Sequence, residues 1–419
     1  MSSVTSQDSS QRRADGVSWF LAAVLIFLAT YLVLAFGRLP GFRVDRTGAC
    51  IIGASLMIAF GVLDFQQAFA AIDYNTIILL FGMMIVVANL RLSGFFSAVA
   101  EWVVEHAHRP VVLLAAIVFV AGFFSAFFVN DTMCLVLTPL VLEITRQLRR
   151  NAVPYLLGVA MAANIGSVAT ITGNPQNMMI GSFSGIHYRT FAAALSPVAA
   201  VGLVLTVTVI AAIYHREFRL QEKVALVRRP VRINRVLMWK SLTVSAAMIV
   251  FFFAGWPVPK VALMAGALLL VTRRVKPERI YREIDWSLLV LFIGLFIVVA
   301  GVEKTSLPES LFRAAQQFHL DRIWVLSAFA ALLSNVVSNV PAVLVFKPFM
   351  AHLGDPVRSW LALAMSTTLA GNLTILGSVA NLIVVQRARH EARIGFWEYF
   401  KVGAPLTVAT IAAGVIWLS

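Results

Sequence analysis

Residues 110–185 constrain the fold more than any other part of the chain. They are apolar enough to sit in a bilayer, yet two polar, helix-breaking clusters interrupt them. The first is Asn130-Asp131-Thr132. The second is Thr172-Gly173-Asn174-Pro175-Gln176-Asn177, whose Gly and Pro let a helix stop and restart. At bilayer depth such backbone is tolerated only where it is buried in protein or lines a polar cavity. The two clusters are therefore read as two sides of one binding site.

The pattern recurs in the second half. Ser125, Asn130 and Pro139 match Ser334, Asn339 and Pro348 at a spacing of 209 residues. Met161, Thr170, Gly173 and Asn177 match Met365, Thr374, Gly377 and Asn381 at 204. Upstream, Ile72–Ala88 matches Ile284–Ala300 at 212, pairing Gly82 with Gly294. Order is kept and the spacing drifts by only eight residues, which chance similarity of apolar helices would not produce. The chain is an internal repeat.

Charged residues make up 13% of the 419, against roughly 25% in a soluble domain, so the chain is expected to be a polytopic membrane protein. Apolar runs of spanning length fall at 17–36, 47–63, 72–90, 155–180 and 191–213, then at 236–254, 258–273, 284–302, 357–385 and 398–418. Residues 110–146 and 322–352 each hold two shorter apolar runs joined at an Asn-containing tip, and are read as re-entrant helical hairpins. The predicted fold is all-α: about ten transmembrane helices, two re-entrant hairpins and two broken helices (155–180 and 357–385). A polar tail (1–16) precedes a first repeat (17–213), a basic linker (214–235) and a second repeat (236–419). Five spans per repeat is an odd number, so the repeats are inverted, as is common among secondary transporters.

Loop charge sets the orientation. Arg38, Arg43 and Arg46, then Arg146, Arg149 and Arg150, then the linker, residues 272–283 and residues 386–393 all fall on one side. That side is predicted to be the cytoplasm of a bacterial-type inner (plasma) membrane, which leaves both termini external. The net charge of +14 thus resides in loops and implies no nucleic-acid partner. Two cysteines, Cys50 and Cys134, make neither a disulfide framework nor a metal site, and no cofactor or metal is expected. Neither a phosphate-binding loop nor a nucleophile cluster is present, which argues against an ATPase and against an enzyme. A passive channel is the competing class, since polar re-entrant loops also build pores.

Hairpin tips and broken helices bring helix N-termini, with their free N–H groups, to the membrane midplane. Such a site suits an oxyanion or a small hydroxylated solute, and neither polar cluster contains Arg or Lys. Asp131 is the one carboxylate in the clusters, and an intramembrane carboxylate is functional by default, so it is assigned to ion coupling. Asp73 and Asp285 match one another but open spans after loops, where N-capping suffices.

The motifs FVNDTMCLVLTPLV, ANIGSVATITGNPQNMMIGSFSGI and STTLAGNLTILGSVANLIV resemble those of the ion transporter superfamily. That group contains arsenite permeases, NhaD-type sodium/proton antiporters, the melanocyte P protein and dicarboxylate/sodium symporters. The resemblance runs from about residue 45 to the end and is nearest to the arsenical or anion permease branch. It implies a substrate held between the hairpin tips by Asn130, Thr132, Asn174 and Asn177 of one half and Ser338, Asn339, Ser378 and Asn381 of the other, with Asp131 beside them. A dicarboxylate carrier would gain nothing from the negative charge of Asp131. The expected function is efflux of arsenite or antimonite, coupled to protons through Asp131 by alternating access. The alternatives are an inorganic or organic anion coupled to sodium or protons, and sodium/proton exchange.

Overall fold

The computed structural model describes residues 4–37, 41–107, 109–219, 233–307, 310, 313 and 317–419, with side chains from residue 19 onward. Most of the basic linker, residues 220–232, lies outside the described residues. Every regular element among them is helical. The first half runs α1 (Val4–Phe36), α2 (Arg46–Ala59), α3 (Phe65–Ala70), α4 (Tyr74–Leu92), α5 (Phe95–His106), α6 (Pro110–Phe127), α7 (Asn130–Gln147), α8 (Ala152–Ser167), α9 (Pro175–Ser184) and α10 (Tyr188–Ile213). After the short α11 (His215–Phe218) the order repeats. It runs α12 (Arg235–Phe253), α13 (Val258–Leu270), α14 (Pro277–Tyr281), α15 (Trp286–Glu303), α16 (Ile323–Val337), α17 (Asn339–Met350), α18 (Pro356–Ala370), α19 (Val379–Ala388) and α20 (Phe396–Leu418).

Among the described residues, seven helices are long and apolar enough to cross a membrane: the apolar part of α1 (Trp19–Phe36), α4, α6, α10, α12, α15 and α20. Large apolar side chains on these helices face outward, among them Leu25 at 63% and Ile416 at 78% exposure, as lipid contact requires and a water-facing surface would not. Six of the seven, the shorter α2 and α13, and the two interrupted helices α8/α9 and α18/α19 account for the ten expected crossings. The seventh, α6, reaches spanning length but is paired with α7 in the first hairpin. α2 ends at Ala59, short of the apolar run, because Phe60 and Gly61 form a turn with Gly61 at φ +69. The expected N-terminal tail is helical from Val4, continuous with α1. An amphipathic helix the apolar pattern did not mark, α5, lies between α4 and the first hairpin. It buries Phe96 and Val103 and exposes Trp102.

The repeats interlock reciprocally. α2 packs on α15 of the other half, and α13 packs on α4. Each crossing turns on a glycine. A Cβ on Gly82 would lie 2.6 Å from the Ala262 carbonyl carbon, and one on Gly294 would lie 2.7 Å from the Cys50 carbonyl oxygen. Small residues let membrane helices approach this closely. Cys50 and Ala262 are themselves 212 residues apart, the spacing of the two glycines, so one pseudo-two-fold axis relates both crossings. Inside this frame α6 packs on α8 as α16 packs on α18, and α7 runs beside α19 as α17 runs beside α9. α8 is buried from Val153 to Ser167.

Candidate functional site

Both hairpins turn in a single strained residue. Val129 has φ +37 and Ser338 has φ +79, and these residues are repeat mates at the 209 spacing. Positive φ costs a residue other than glycine on the order of 1–3 kcal/mol and persists only where its surroundings enforce it. The turn lets α7 and α17 start at Asn130 and Asn339 with their first N–H groups facing inward.

The broken helices are built by symmetric capping. Asn177 Nδ2 donates to the Ser167 and Thr170 carbonyls, each at 3.0 Å. Asn381 Nδ2 donates to the Gly371 and Thr374 carbonyls at 2.6 and 3.0 Å. These are the acceptors that α8 and α18 leave unsatisfied where they stop. The restart is capped in turn: the Asn174 carboxamide accepts from Asn177 N at 2.9 Å, and Ser378 Oγ accepts from Ala380 N at 3.2 Å.

The halves are tied through Asn164, on α8. Its carboxamide oxygen accepts from Asn130 Nδ2 (2.9 Å) and Ser378 Oγ (3.0 Å), and its Nδ2 donates to Asn372 Oδ1 (2.9 Å) and Asn381 Oδ1 (3.0 Å). Its repeat mate Thr368 accepts from Asn174 Nδ2 (3.2 Å) and Gln176 Nε2 (3.1 Å). Asn174–Thr368 and Ser378–Asn164 are thus one contact, written twice. The Asn339 amide, turned to satisfy its surroundings, donates to the Thr367 and Gly377 carbonyls (both 3.2 Å) and accepts from Gln176 Nε2 (3.0 Å).

Between the four helix N-termini lies a cavity of about 80 Å³. Asn130, Asp131, Gln176, Ser338, Asn339 and Ser378 line it, with Pro175, Pro341, Phe292 and Arg46. Five of the residues singled out from sequence therefore meet at one cavity. Thr132 opens instead into an adjoining cavity, also of about 80 Å³, which shares Asp131 and includes Asp285, Arg91 and Glu283. Asn174, Asn177 and Asn381 stand behind the wall, fully buried, holding the helix breaks. The Asn130 and Asn177 carboxamide oxygens are buried without a protein partner.

Several residues escaped sequence reasoning. Asn164, Thr368 and Asn372 were hidden as lone polar residues in apolar helices; Gln176 lay in a recognised cluster without being singled out. Arg46 corrects a premise. The polar clusters hold no cation, but the start of α2 brings Arg46 to the cavity wall, with its Nε buried and unpartnered. Arg46 and Asp131 border the same space without forming an ion pair with each other. Asp131 faces the Ala380 backbone N–H at the start of α19. Asp73 does not cap backbone as expected: its carboxylate takes hydrogen bonds from the Thr76 and Ser182 hydroxyls. Asp285 does cap, accepting from Leu288 N at 3.0 Å, but it also lines the second cavity. Phe123 meets Phe124 and Phe127 edge-on, and Phe124 does so with Phe95 and Phe96, a packing cluster none of whose rings lines the cavity. Cys50 and Cys134 are free and buried. No group of three or more metal-ligating side chains occurs among the described residues.

Inverted repeats, paired hairpins and broken helices around a polar cavity define a multi-pass secondary transporter. The chain belongs to the citrate transporter (CitMHS) family, whose model matches residues 31–370. It is 30% identical to a protein of Oryza sativa subsp. japonica named a silicon efflux transporter, across 96% of each chain. It is 31% identical to an uncharacterized transporter of Mycobacterium tuberculosis, across 95% of this chain and 97% of the relative. The putative transporter arsB of Dictyostelium discoideum is 23% identical, across 93% and 90%. The fold is similar to that of the Alcanivorax borkumensis YdaH transporter, whose crystal structure is described as having an unusual topology. The TM-score is 0.62 at 13% identity, covering 96% and 97% of the two chains.

Proposed function

We propose that the protein exports a small, neutral, hydroxylated metalloid from the cytoplasm, with arsenite and antimonite as the first candidates, and that Asp131 carries the exchanged proton. The observation that carries this reading is the charge balance of the cavity: one acidic residue, Asp131, and one basic residue, Arg46, line the same space without pairing with each other. An anion there meets Asp131 and a cation meets Arg46. A neutral trihydroxy species donates to the first and accepts from the second. At about 80 Å³ the cavity is well below the few hundred Å³ usual for larger organic ligands, which suits a small solute better than a tricarboxylate. The names of two relatives, a silicon efflux transporter and a putative arsB, lie in the same chemical direction. Both termini are external in this reading, and the basic loops are cytoplasmic.

The second reading is a small anion coupled to sodium or protons. Arg46 and the four converging helix N-termini favour it, as does the family description. A binding screen on purified protein, by thermal stabilisation and by solid-supported-membrane currents, separates the two. Arsenite or antimonite should bind. Asn130→Ala and Asn339→Ala should each weaken that binding about tenfold, the effect of about 1.4 kcal/mol for one hydrogen-bonding group. Asp131→Asn should retain binding and lose proton coupling. Protein that binds sulfate or citrate and ignores both metalloids would refute the assignment. Flux that no imposed gradient can drive uphill would indicate a channel.

A further inference from the structure

Three cavities lie in series between the central site and the surface. The central cavity and its neighbour share Asp131 and Leu288. That neighbour shares Leu135 and Ile383 with an open vestibule of about 550 Å³, whose other lining residues are Gln386, Arg387, Arg389 and His390. The helices explain the alignment. α7 and α19 both start at the central site and run side by side away from it. Asp131 and Leu135 are one turn apart on α7, as are Val379, Ile383 and Arg387 on α19, so each set shares a helix face. The facing stripes form a groove that begins at Asp131 and Val379 and ends among cations.

We infer that solute moves between the central cavity and the basic face of the protein along this α7/α19 groove. Leu135 and Ile383 form the apolar constriction, and Arg387, Arg389 and His390 form a mouth that discriminates against cations. Both constriction side chains are half-buried, while Gln386, Arg387, Arg389 and His390 are exposed. Beside the constriction, Arg91 at the end of α4 pairs with Glu283, just before α15, tying the two repeats together. The order of charge along the route is cationic at the mouth, apolar at the constriction, and anionic at Asp131 and Asp285. A cation is disfavoured at the first station and an anion at the last. At intermediate dielectric each step slows the wrong sign on the order of tenfold. A neutral solute meets neither penalty. The solute's neutrality rests on the function proposed above, but the route does not.

Cysteine labelling tests the route directly. In a Cys50→Ala, Cys134→Ala background whose own flux is measured first, Ile383→Cys, Leu135→Cys and Gln386→Cys are exposed to membrane-impermeant methanethiosulfonates, one anionic and one cationic, from each side of oriented vesicles. Modification of Ile383→Cys or Leu135→Cys should occur only from the side that reaches Gln386→Cys, and should stop transport. The anionic reagent should react faster. Arg387→Glu with Arg389→Glu should shift the anionic-to-cationic rate ratio about tenfold toward the cationic reagent, less at high salt. Inert thiols at both 383 and 135 beside a reactive thiol at 386 would overturn the route, and so would full modification with flux unchanged. If labelling blocks citrate flux and metalloids are not carried, the route stands and the substrate assignment fails.

Discussion

Replacing Asn164 by alanine should be among the most damaging single changes in the chain, although Asn164 lines none of the three cavities described above. Its amide makes four hydrogen bonds, to Asn130, Ser378, Asn372 and Asn381, and all five residues are buried. A net hydrogen bond contributes about 1 kcal/mol, and an orphaned buried donor or acceptor costs about 1–3 kcal/mol. Asn381 and Asn372 keep the backbone bonds of their Nδ2 groups, so the loss falls chiefly on two carboxamide oxygens, Asn130 Nδ2 and the Ser378 hydroxyl. Four groups at the low end give about 4 kcal/mol, or a thermal transition about 8 °C lower at roughly 2 °C per kcal/mol. The assay is unfolding of purified protein in detergent, run as a double-mutant cycle with Asn381→Ala. Because Asn381 is one of the partners lost, the double variant should be more stable than additivity predicts, by about 0.5–3 kcal/mol. A transition within about 2 °C of wild type, or strict additivity with Asn381→Ala, would show that Asn164 does not join the halves.

Three further outcomes follow from separate features. Ser338→Gly should relieve the strain of φ +79 and stabilise the fold by about 1 kcal/mol, read as a raised thermal transition, while solute binding weakens through loss of the cavity-lining hydroxyl. Gly82→Val and Gly294→Val should each collapse the yield of folded protein, because their branched Cβ would meet backbone of the opposite repeat at under 3 Å; Val at Gly61, where no atom lies within 4 Å of a Cβ, should cost only the strain of its positive φ, measured by size-exclusion recovery. Burial raises the Glu217 carboxyl above its ordinary value, against the opposing pull of Arg150. The folded state therefore binds the proton more tightly than the unfolded state, and stability falls as pH rises through the folded value. Wild type should gain thermal stability relative to Glu217→Gln as pH is lowered from 7 toward 5, and an opposite trend would contradict the burial.

What the sequence made legible was the interruption of apolar helices. Backbone that breaks at membrane depth needs Gly, Pro and amides, so Thr172–Asn177 and its mate Gly377–Asn381 announce the broken helices, and Asn130 and Asn339 announce the tips. Features that need no break left no trace. Asn164 stands in a regular helix, where one amide among apolar neighbours resembles an internal satisfied side chain. The strained Val129 carries the residue type least expected at positive φ. Arg46 looked like a loop base at the membrane surface, and only tertiary packing carries it to the cavity. The absence of a cation from two polar clusters was a property of local sequence, whereas the cavity is assembled from seven helices. Asp73 and Asp285 were indistinguishable as capping positions, yet one binds hydroxyls and the other reaches the second cavity.

The two-fold relation between the repeats separates what holds the site from what the site does. Positions that support the backbone obey it: Asn177 with Asn381, Thr170 with Thr374, Gly82 with Gly294, and the positive φ of Val129 with that of Ser338. Positions that present charge or an unshared amide to the cavity break it. Asp131 is matched by Val340, Gln176 by Ala380 and Arg46 by Val258. A symmetric scaffold has equal reason to keep both copies of a strut, because each half must stop and restart its own helix. It has no such reason to keep two copies of a charge, because a second carboxylate across 80 Å³ would repel the first. We therefore propose the asymmetric positions as the seat of substrate and coupling specificity. In this chain they converge on one small cavity flanked by Asp131, Gln176 and Arg46.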